Sequence, residues 1–302
     1  MDNVSPWLLL TVSMFACLAS GISRNYYCKL LAVNARSYYL LNGSCGAVCA
    51  VLLWAMGGFG LPAVSPFTLW LGVVFGLVTM TQGISNAAAL RAGPWAYTSV
   101  ITSLATIIPA LSGVLFWNES IGVLQVLGML LMIGCFVLSV DAKAGSAQRK
   151  ASLHWLVLCL IAFLCTGLIG VMQKIHQSGA YREELSGFLI VAFLVSASCS
   201  LLVYAFYPQK NAAAAAAADK SGKKLLLVAG LFVLMGVATA INNQFNLYLS
   251  GVMPSVVFFP IVNGGGLVLA TLASVVLFRE KLSGRQWVGL ALGTASVLCL
   301  CL

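Results

Sequence analysis

Residues 114–131 read VLFWNESIGVLQVLGMLL, and residues 275–292 read VVLFREKLSGRQWVGLAL. A shift of 161 residues (from 119 to 280) aligns an acidic, an amide and a glycine position, namely Glu119 with Glu280, Gln125 with Gln286, and Gly128 with Gly289. Each stretch reads as an apolar helix, an aromatic residue, a turn that contains Glu, and a second apolar helix. The match predicts an internal duplication, with chance similarity between apolar segments as the alternative.

The composition around these stretches is that of a membrane protein. Hydrophobic residues make up 61% of the chain and charged residues only 8%, whereas a soluble domain carries about 25% charged residues. Apolar runs of about 20 residues, the length of a helix that crosses a bilayer, follow one another with short polar breaks. The runs do not alternate in polarity as barrel strands would. The sequence therefore predicts an all-α integral membrane protein.

The apolar runs predict ten transmembrane helices. Their expected spans are 6–22, 37–56, 67–90, 94–117, 120–140, 152–175, 184–207, 225–249, 254–278 and 282–302. The duplication divides them into five-helix repeats at 1–141 and 142–302, with a polar linker at 208–224 between the seventh and eighth helices. Because five is odd, the second copy would be inverted relative to the first, and inverted repeats are a transporter architecture.

The basic residues predict the orientation. All Lys and Arg residues except Lys174 and Arg182 lie in connections that follow odd-numbered helices. Positively charged connections stay in the cytoplasm, so both termini are expected outside a cell membrane. This rule also accounts for the net charge of +9, and we expect no nucleic-acid partner.

Polar side chains cluster on the third, fourth, eighth and ninth predicted helices. Such groups are costly in hydrocarbon and should face protein or a water-filled path, and residues four apart share a helix face. The candidate substrate-binding residues are Gln82, Asn86, Tyr97, Thr98, Thr102, Asn242, Asn243, Asn246 and Asn263. The alternative for each is a hydrogen bond that joins two helices, worth about 0.6 kcal/mol on average.

The charged residues near helix ends allow structural or functional interpretations. Glu119 and Glu280 are interpreted as stabilising the N-terminus of the helix that follows each of them. Lys29 and Lys174 end the first helix of each half, where they would either reach the lipid headgroups or attract substrate. His176 is expected beyond a helix end, at the interface. No carboxylate falls in the middle of a span, which weighs against a proton-coupled exporter of cationic drugs.

Several motifs resemble those of the drug/metabolite transporter superfamily, in particular its EamA-type ten-helix branch. They are Ala88-Ala89-Leu90, Gly93-Pro94, Pro109, Phe116-Trp117-Asn118-Glu119 with Gln125 and Gly128, and Leu277-Phe278-Arg279-Glu280-Lys281-Leu282 with Gln286 and Gly289. The resemblance implies a central cavity lined by the first four helices of each half, peripheral fifth and tenth helices, and alternating access without ATP. Many relatives have both termini inside, unlike the orientation expected here.

The motifs of other chemistries are missing from the sequence. It contains no Walker loop, no paired catalytic carboxylates, no zinc-type His pair and no nucleophile elbow. We therefore predict no enzyme activity, no cofactor and no metal. The predicted function is secondary transport of a small neutral or zwitterionic polar metabolite, with the coupling proton or ion and the choice between monomer and homodimer left open. The alternative is a non-transporting membrane scaffold or a lipid-handling protein.

Overall fold

A computed structural model describes residues 5–31, 35–60, 62, 64–92, 101–102, 104–139, 153–207, 222–266, 268–269, 272 and 284–301. Every regular element in these ranges is a helix. The elements are α1 Pro6–Leu31, α2 Ala35–Met56, α3 Pro66–Ala92, α4 Ile107–Trp117, α5 Val123–Ser139, α6 Leu153–Ser178, a 3-10 turn Arg182–Glu184, α7 Leu185–Phe206, α8 Gly222–Val252, α9 Ser255–Pro260 with a π-helical turn Ile261–Gly265, and α10 Gly284–Cys301.

Six of these helices, α1, α2, α3, α6, α7 and α8, are long and apolar enough to cross a membrane. Their outer surfaces expose large apolar side chains that a soluble protein would bury, such as Leu153 at 78% and Trp70 at 71%. The prediction of a helical membrane protein is thereby confirmed. Within the described residues, α4, α5 and α9 are shorter apolar helices, so the count of ten crossings stays a prediction. The inverted repeat stays a prediction too.

Long helices from the two predicted halves pack against each other in antiparallel pairs. In the α1–α8 pair, Ser13 contacts Asn246 while Ser20, about two turns further on, contacts Thr239. In the α2–α7 pair, Arg36 donates a hydrogen bond to the Tyr204 carbonyl, and Asn42 donates one to Ser200. The α3–α6 pair is antiparallel too, because Thr68 at the start of α3 contacts His176 at the end of α6, while Ala89 near the end of α3 shares a cluster with Trp155 at the start of α6. The core of the bundle is thus formed between the halves.

Glycines allow the closest of these approaches. A Cβ at Gly46 of α2 would lie 3.2 Å from both the Ala197 Cβ and the Phe193 carbonyl oxygen of α7. A Cβ at Gly128 of α5 would lie 3.2 Å from the Ser296 carbonyl oxygen of α10. Small residues at such crossings let backbones approach, which matters in lipid because packing drives helix association there.

Two large apolar clusters occupy the interior of the described part of the chain, beside a small one around Ala89, Trp155 and Cys159. One of the large clusters joins α1, α2, α3, α6, α7 and α8 around Phe75 and Phe188, whose rings meet edge to face with centroids 5.0 Å apart. The other joins α1, α5, α8, α9 and α10 around Phe258 and Ile261.

Candidate functional site

Asn242 and Asn246 of α8 hydrogen-bond to α1. The Asn242 amide donates to the Ser13 carbonyl at 3.0 Å and to its hydroxyl at 3.1 Å, and the Ser13 hydroxyl donates to Asn246 Oδ1 at 2.6 Å. The Asn246 amide donates to Asn242 Oδ1 at 3.2 Å. These bonds join two helices, which is the alternative considered for each residue from the sequence. A role of these two side chains in binding substrate stays a prediction.

Asn243 and Asn263 use their side chains differently. The amide of Asn243 donates to the Thr239 carbonyl of its own helix at 2.9 Å, and that of Asn263 donates to the Phe259 carbonyl at 3.0 Å. Both side chains are half-buried. Within the described ranges, neither Oδ1 atom accepts a hydrogen bond, so each offers an acceptor to another molecule.

Asn263 also lies in an unusual stretch of backbone. Pro260 has no N–H to donate, and the π-helical turn Ile261–Gly265 follows it directly. Single π-helical turns inserted in α-helices are frequent at functional sites. Glycines 264 and 265 after Asn263 pack against the Met132 and Met14 side chains.

The other predicted site residues lie on α3, near the start of α4, or outside the described residues. Gln82 and Asn86 are half-buried on α3, and Thr102 is half-buried and already has an interaction partner. Tyr97 and Thr98 lie outside the described residues, as do Glu280, the side chain of Lys29 and most of the predicted linker. The end of that linker is helical, because α8 begins at Gly222.

Asn42 of α2 is a polar interior residue that the sequence analysis did not select. Its amide donates to Ser200 at 2.9 Å and to Ser196 at 3.4 Å, both on α7. Its Oδ1 would lie 3.3 Å from a Cβ at Gly83, which is next to Gln82 on α3. The four-residue spacing of Ser196 and Ser200 on an apolar helix was the signal available in the sequence.

A buried ion pair lies where α4, α6 and α9 meet. Lys174 Nζ is 2.8 Å from Glu119 Oε1, and the two side chains are only 8% and 12% exposed. Lys174 also donates to the Met253 carbonyl at 3.4 Å. The ammonium group therefore has its charge partner inside the bundle, and the expectation that Lys174 reaches the headgroups is wrong.

The Glu119 carboxylate also accepts the first hydrogen bonds of α9. The Ser255 N–H lies 2.6 Å and the Val256 N–H 3.4 Å from Oε2, and the Ser255 hydroxyl lies 3.1 Å from Oε1. A carboxylate satisfies the unpaired donors of a helix N-terminus in this way. The interpretation of Glu119 as a residue that stabilises a helix N-terminus holds, but the helix is α9 of the other half, not the one that follows it.

A second carboxylate makes a matching contact nearby. Glu184 Oε2 accepts hydrogen bonds from the Ser65 N–H at 2.9 Å and the Ser65 hydroxyl at 2.8 Å, at the start of α3. The Ser65 hydroxyl also contacts Thr68 Oγ1, which lies 3.5 Å from His176 Nε2. His176 lies in the last turn of α6 and is fully buried, so the expectation that it lies beyond a helix end is wrong. The partners Thr68, Gln177 and Phe188 retain it in the bundle.

Comparisons with known proteins identify a solved structure with the same overall fold. No protein-family model matches the sequence. A protein of Haemophilus influenzae, described as uncharacterized, is 21% identical over 248 residues, which span 78% of this chain and 75% of that protein. A crystal structure of another protein superposes with a TM-score of 0.70 over 97% of this chain and 94% of the other, at 18% identity. The chain therefore shares its overall fold with a protein of known structure.

Proposed function

We propose that this chain is a secondary transporter that moves a small neutral or zwitterionic polar metabolite across a cell membrane by alternating access. The pattern of helix contacts carries the proposal. If each helix of the first half is equivalent to the helix five places later, the α1–α8 contact is equivalent to an α6–α3 contact, and the α2–α8 contact to an α7–α3 contact. All four contacts are present. Three further contacts, α2–α7, α4–α9 and α5–α10, each join a helix to its own equivalent in the other half. This pattern supports two equivalent halves related by a two-fold axis.

The antiparallel packing supports inversion of one half. Arg285 of α10 donates to the Val137 carbonyl of α5, while the carbonyl of Gly128, at the other end of α5, accepts from Ser296. The helices α5 and α10, which the duplication predicts to be equivalent, therefore run in opposite directions, as an inverted repeat requires. Inverted repeats place the substrate between them near the midplane and expose it by rocking one half against the other.

The free acceptors on α8 and α9 support a polar substrate. Asn243 Oδ1 and Asn263 Oδ1 can each accept a hydrogen bond from a hydroxyl or ammonium group of a solute. Unlike carboxylates, amides carry no charge, which favours neutral or zwitterionic compounds over simple cations. Gln82 and Asn86 on α3, the helix equivalent to α8, are proposed to contribute from the other half.

Transport by purified protein in proteoliposomes tests the proposal. A thermal-shift screen against amino acids, sugars and nucleosides first identifies a stabilising compound, and uptake of its radiolabelled form is then measured. We expect Asn243→Ala and Asn263→Ala to lower uptake by about tenfold, the value of one hydrogen bond of about 1.4 kcal/mol. Thr294→Ala on α10 is the matched control and should retain uptake. Wild-type uptake by both Asn variants would remove these residues from the site.

The scaffold or lipid-handling alternative also has one observation in its favour. The side chains of Asn242, Asn246 and Ser13 are engaged with one another between α1 and α8, as expected of helices that only pack. That alternative needs no water at Gln82, Asn86, Asn243 or Asn263. Access of water to these four positions therefore separates the two functions.

A further inference from the structure

The contacts of Glu119 and Glu184 lie at one end of the bundle. The start of α3 lies beside the end of α6, since Thr68 contacts His176. The end of α8 is there too, because a Cβ at Gly251 would lie 2.8 Å from the Gln177 Cβ of α6. Glu119 precedes α5, and Glu184 precedes α7. Both carboxylates thus belong to a single membrane face, here called the α6-end face.

Each carboxylate reaches across the boundary between the predicted halves 1–141 and 142–302. Glu119 belongs to the first half, and its partners Lys174, Ser255 and Val256 belong to the second. Glu184 belongs to the second half, and its partner Ser65 belongs to the first. The contacts are therefore reciprocal, since each half provides one carboxylate and one helix N-terminus.

We propose that Glu119 and Glu184 are reciprocal latches that hold the α6-end face closed, and that this face opens when both carboxylates leave their partners. The inference rests on the proposed transport function, in which the two halves rock against each other. Any rocking that opens this face has to separate Glu119 from Lys174 and Ser255, and Glu184 from Ser65.

The chemistry of these contacts suits a reversible closure. Burying two charges carries a desolvation cost that their attraction only partly offsets. When the face opens, water hydrates Lys174 and Glu119 and replaces the hydrogen bonds of the exposed backbone N–H groups. An apolar contact would lose its stabilisation on opening without such replacement. Polar latches therefore keep the closed and open states close in free energy, as alternating access requires.

Distances between pairs of spin labels, measured by double electron–electron resonance, test the latches without a substrate. Spin labels attached to a ketone-bearing amino acid, which avoids the native cysteines, are placed at Ser120 and Ala180, exposed residues of the two halves on the α6-end face. A second pair at Tyr26 and Leu226 reports on the opposite face. Measurements are made on the full chain in lipid nanodiscs for the wild type and for the double variant Glu119→Gln/Glu184→Gln.

In the wild type, we expect about 0.1–10% of the molecules to show a longer Ser120–Ala180 distance, as a minor open state would. In the double variant, molecules with the longer distance should become the main population. The Tyr26–Leu226 distance should shorten in the same molecules. Glu183→Gln is the matched control, because Glu183 is the exposed neighbour of Glu184 on the same turn, and it should leave both distances unchanged.

Unchanged distances in the double variant would overturn the latches. A variant that fails to fold would broaden both distributions at once, and the single variants Glu119→Gln and Glu184→Gln then provide the comparison, each with a smaller gain of the longer distance. The result is also independent of transport. If the distances change as expected in the double variant but no solute is taken up, the latches are supported and the proposed function fails. If solute is taken up but the distances stay unchanged, the proposed function is supported and the latches fail.

Discussion

Gly113 shows how one residue of α4 determines where the Glu119 carboxylate lies. Its carbonyl accepts the Glu119 N–H at 3.2 Å, and Asn118 between them adopts a left-handed conformation with φ of 51°. This turn directs Glu119 back over α4 toward Ser255. A Cβ at Gly113 would overlap the Glu119 carboxylate and lie 2.7 Å from the Ser255 Cβ. The missing side chain therefore makes room for the contact between the halves.

Gly113→Ala should destabilise the protein by about 1–3 kcal/mol, the usual cost of overpacking. Thermal unfolding of the purified protein in detergent, followed by tryptophan fluorescence, measures the change as a lower Tm. Gly230→Ala is the control, because a Cβ there would meet nothing within 4 Å and alanine favours a helix by about 1 kcal/mol. Equal Tm values for the two variants would show that Gly113 is not needed for space.

The residue scale is where the sequence was least informative. The stabilisation of a helix N-terminus by Glu119 followed from its place after an apolar helix, but its actual partner Ser255 is 136 residues away. Nothing local identifies a partner at that distance. The burial of Lys174 and His176 was missed for the same reason, because Glu119 and Thr68, which contact them, come from other parts of the chain.

At the scale of elements, the α1–α8 pair should depend on its polar bridge. Ser13→Ala removes the group that donates to Asn246 and accepts from Asn242, and should cost about 0.6 kcal/mol and at most about 1.7 kcal/mol. A double-mutant cycle with Asn246→Ala, measured by unfolding in detergent, gives the coupling. Thr11→Ala is the matched control on α1, because Thr11 is exposed and bonds only within its own helix. No coupling between Ser13 and Asn246 would contradict the bridge.

Apolar runs predicted where the helices are, but several helices extend beyond them. The predicted span 152–175 continues to Ser178, and 225–249 becomes Gly222–Val252. Nearly all of the added residues are polar or glycine, and hydropathy therefore ended each span too early. In α6 the extension is stabilised by neighbours, because Gln177 donates to the Arg182 carbonyl and contacts His176.

At the scale of the whole molecule, the duplication was the most informative feature of the sequence. It predicts which helices are equivalent, and this equivalence stays a prediction that the proposed transport function uses. The sequence did not predict that Glu119 and Glu184 each contact the other predicted half of the chain. Such contacts depend on the packing of several helices, which no periodicity within one helix reveals.

The basic residues predict the orientation of the whole molecule. Ten predicted crossings would place both termini on one side, and the concentration of Lys and Arg after odd-numbered predicted helices predicts that this side is outside. Epitope tags at the two ends of the chain, probed with antibody on intact cells, should both be accessible before permeabilisation. Accessibility of either tag only after permeabilisation would contradict this orientation.

Access of water to the middle of the bundle from both sides tests the account most directly. The variants Asn243→Cys and Asn263→Cys are reconstituted in vesicles, and a membrane-impermeant thiol reagent is applied from one side or from the other. Mass spectrometry of the labelled peptides, compared with wild-type protein, distinguishes the new thiols from native ones. The account predicts labelling of each position from both sides. Absence of labelling from either side, in folded protein, would contradict it and favour a membrane scaffold with dry packing.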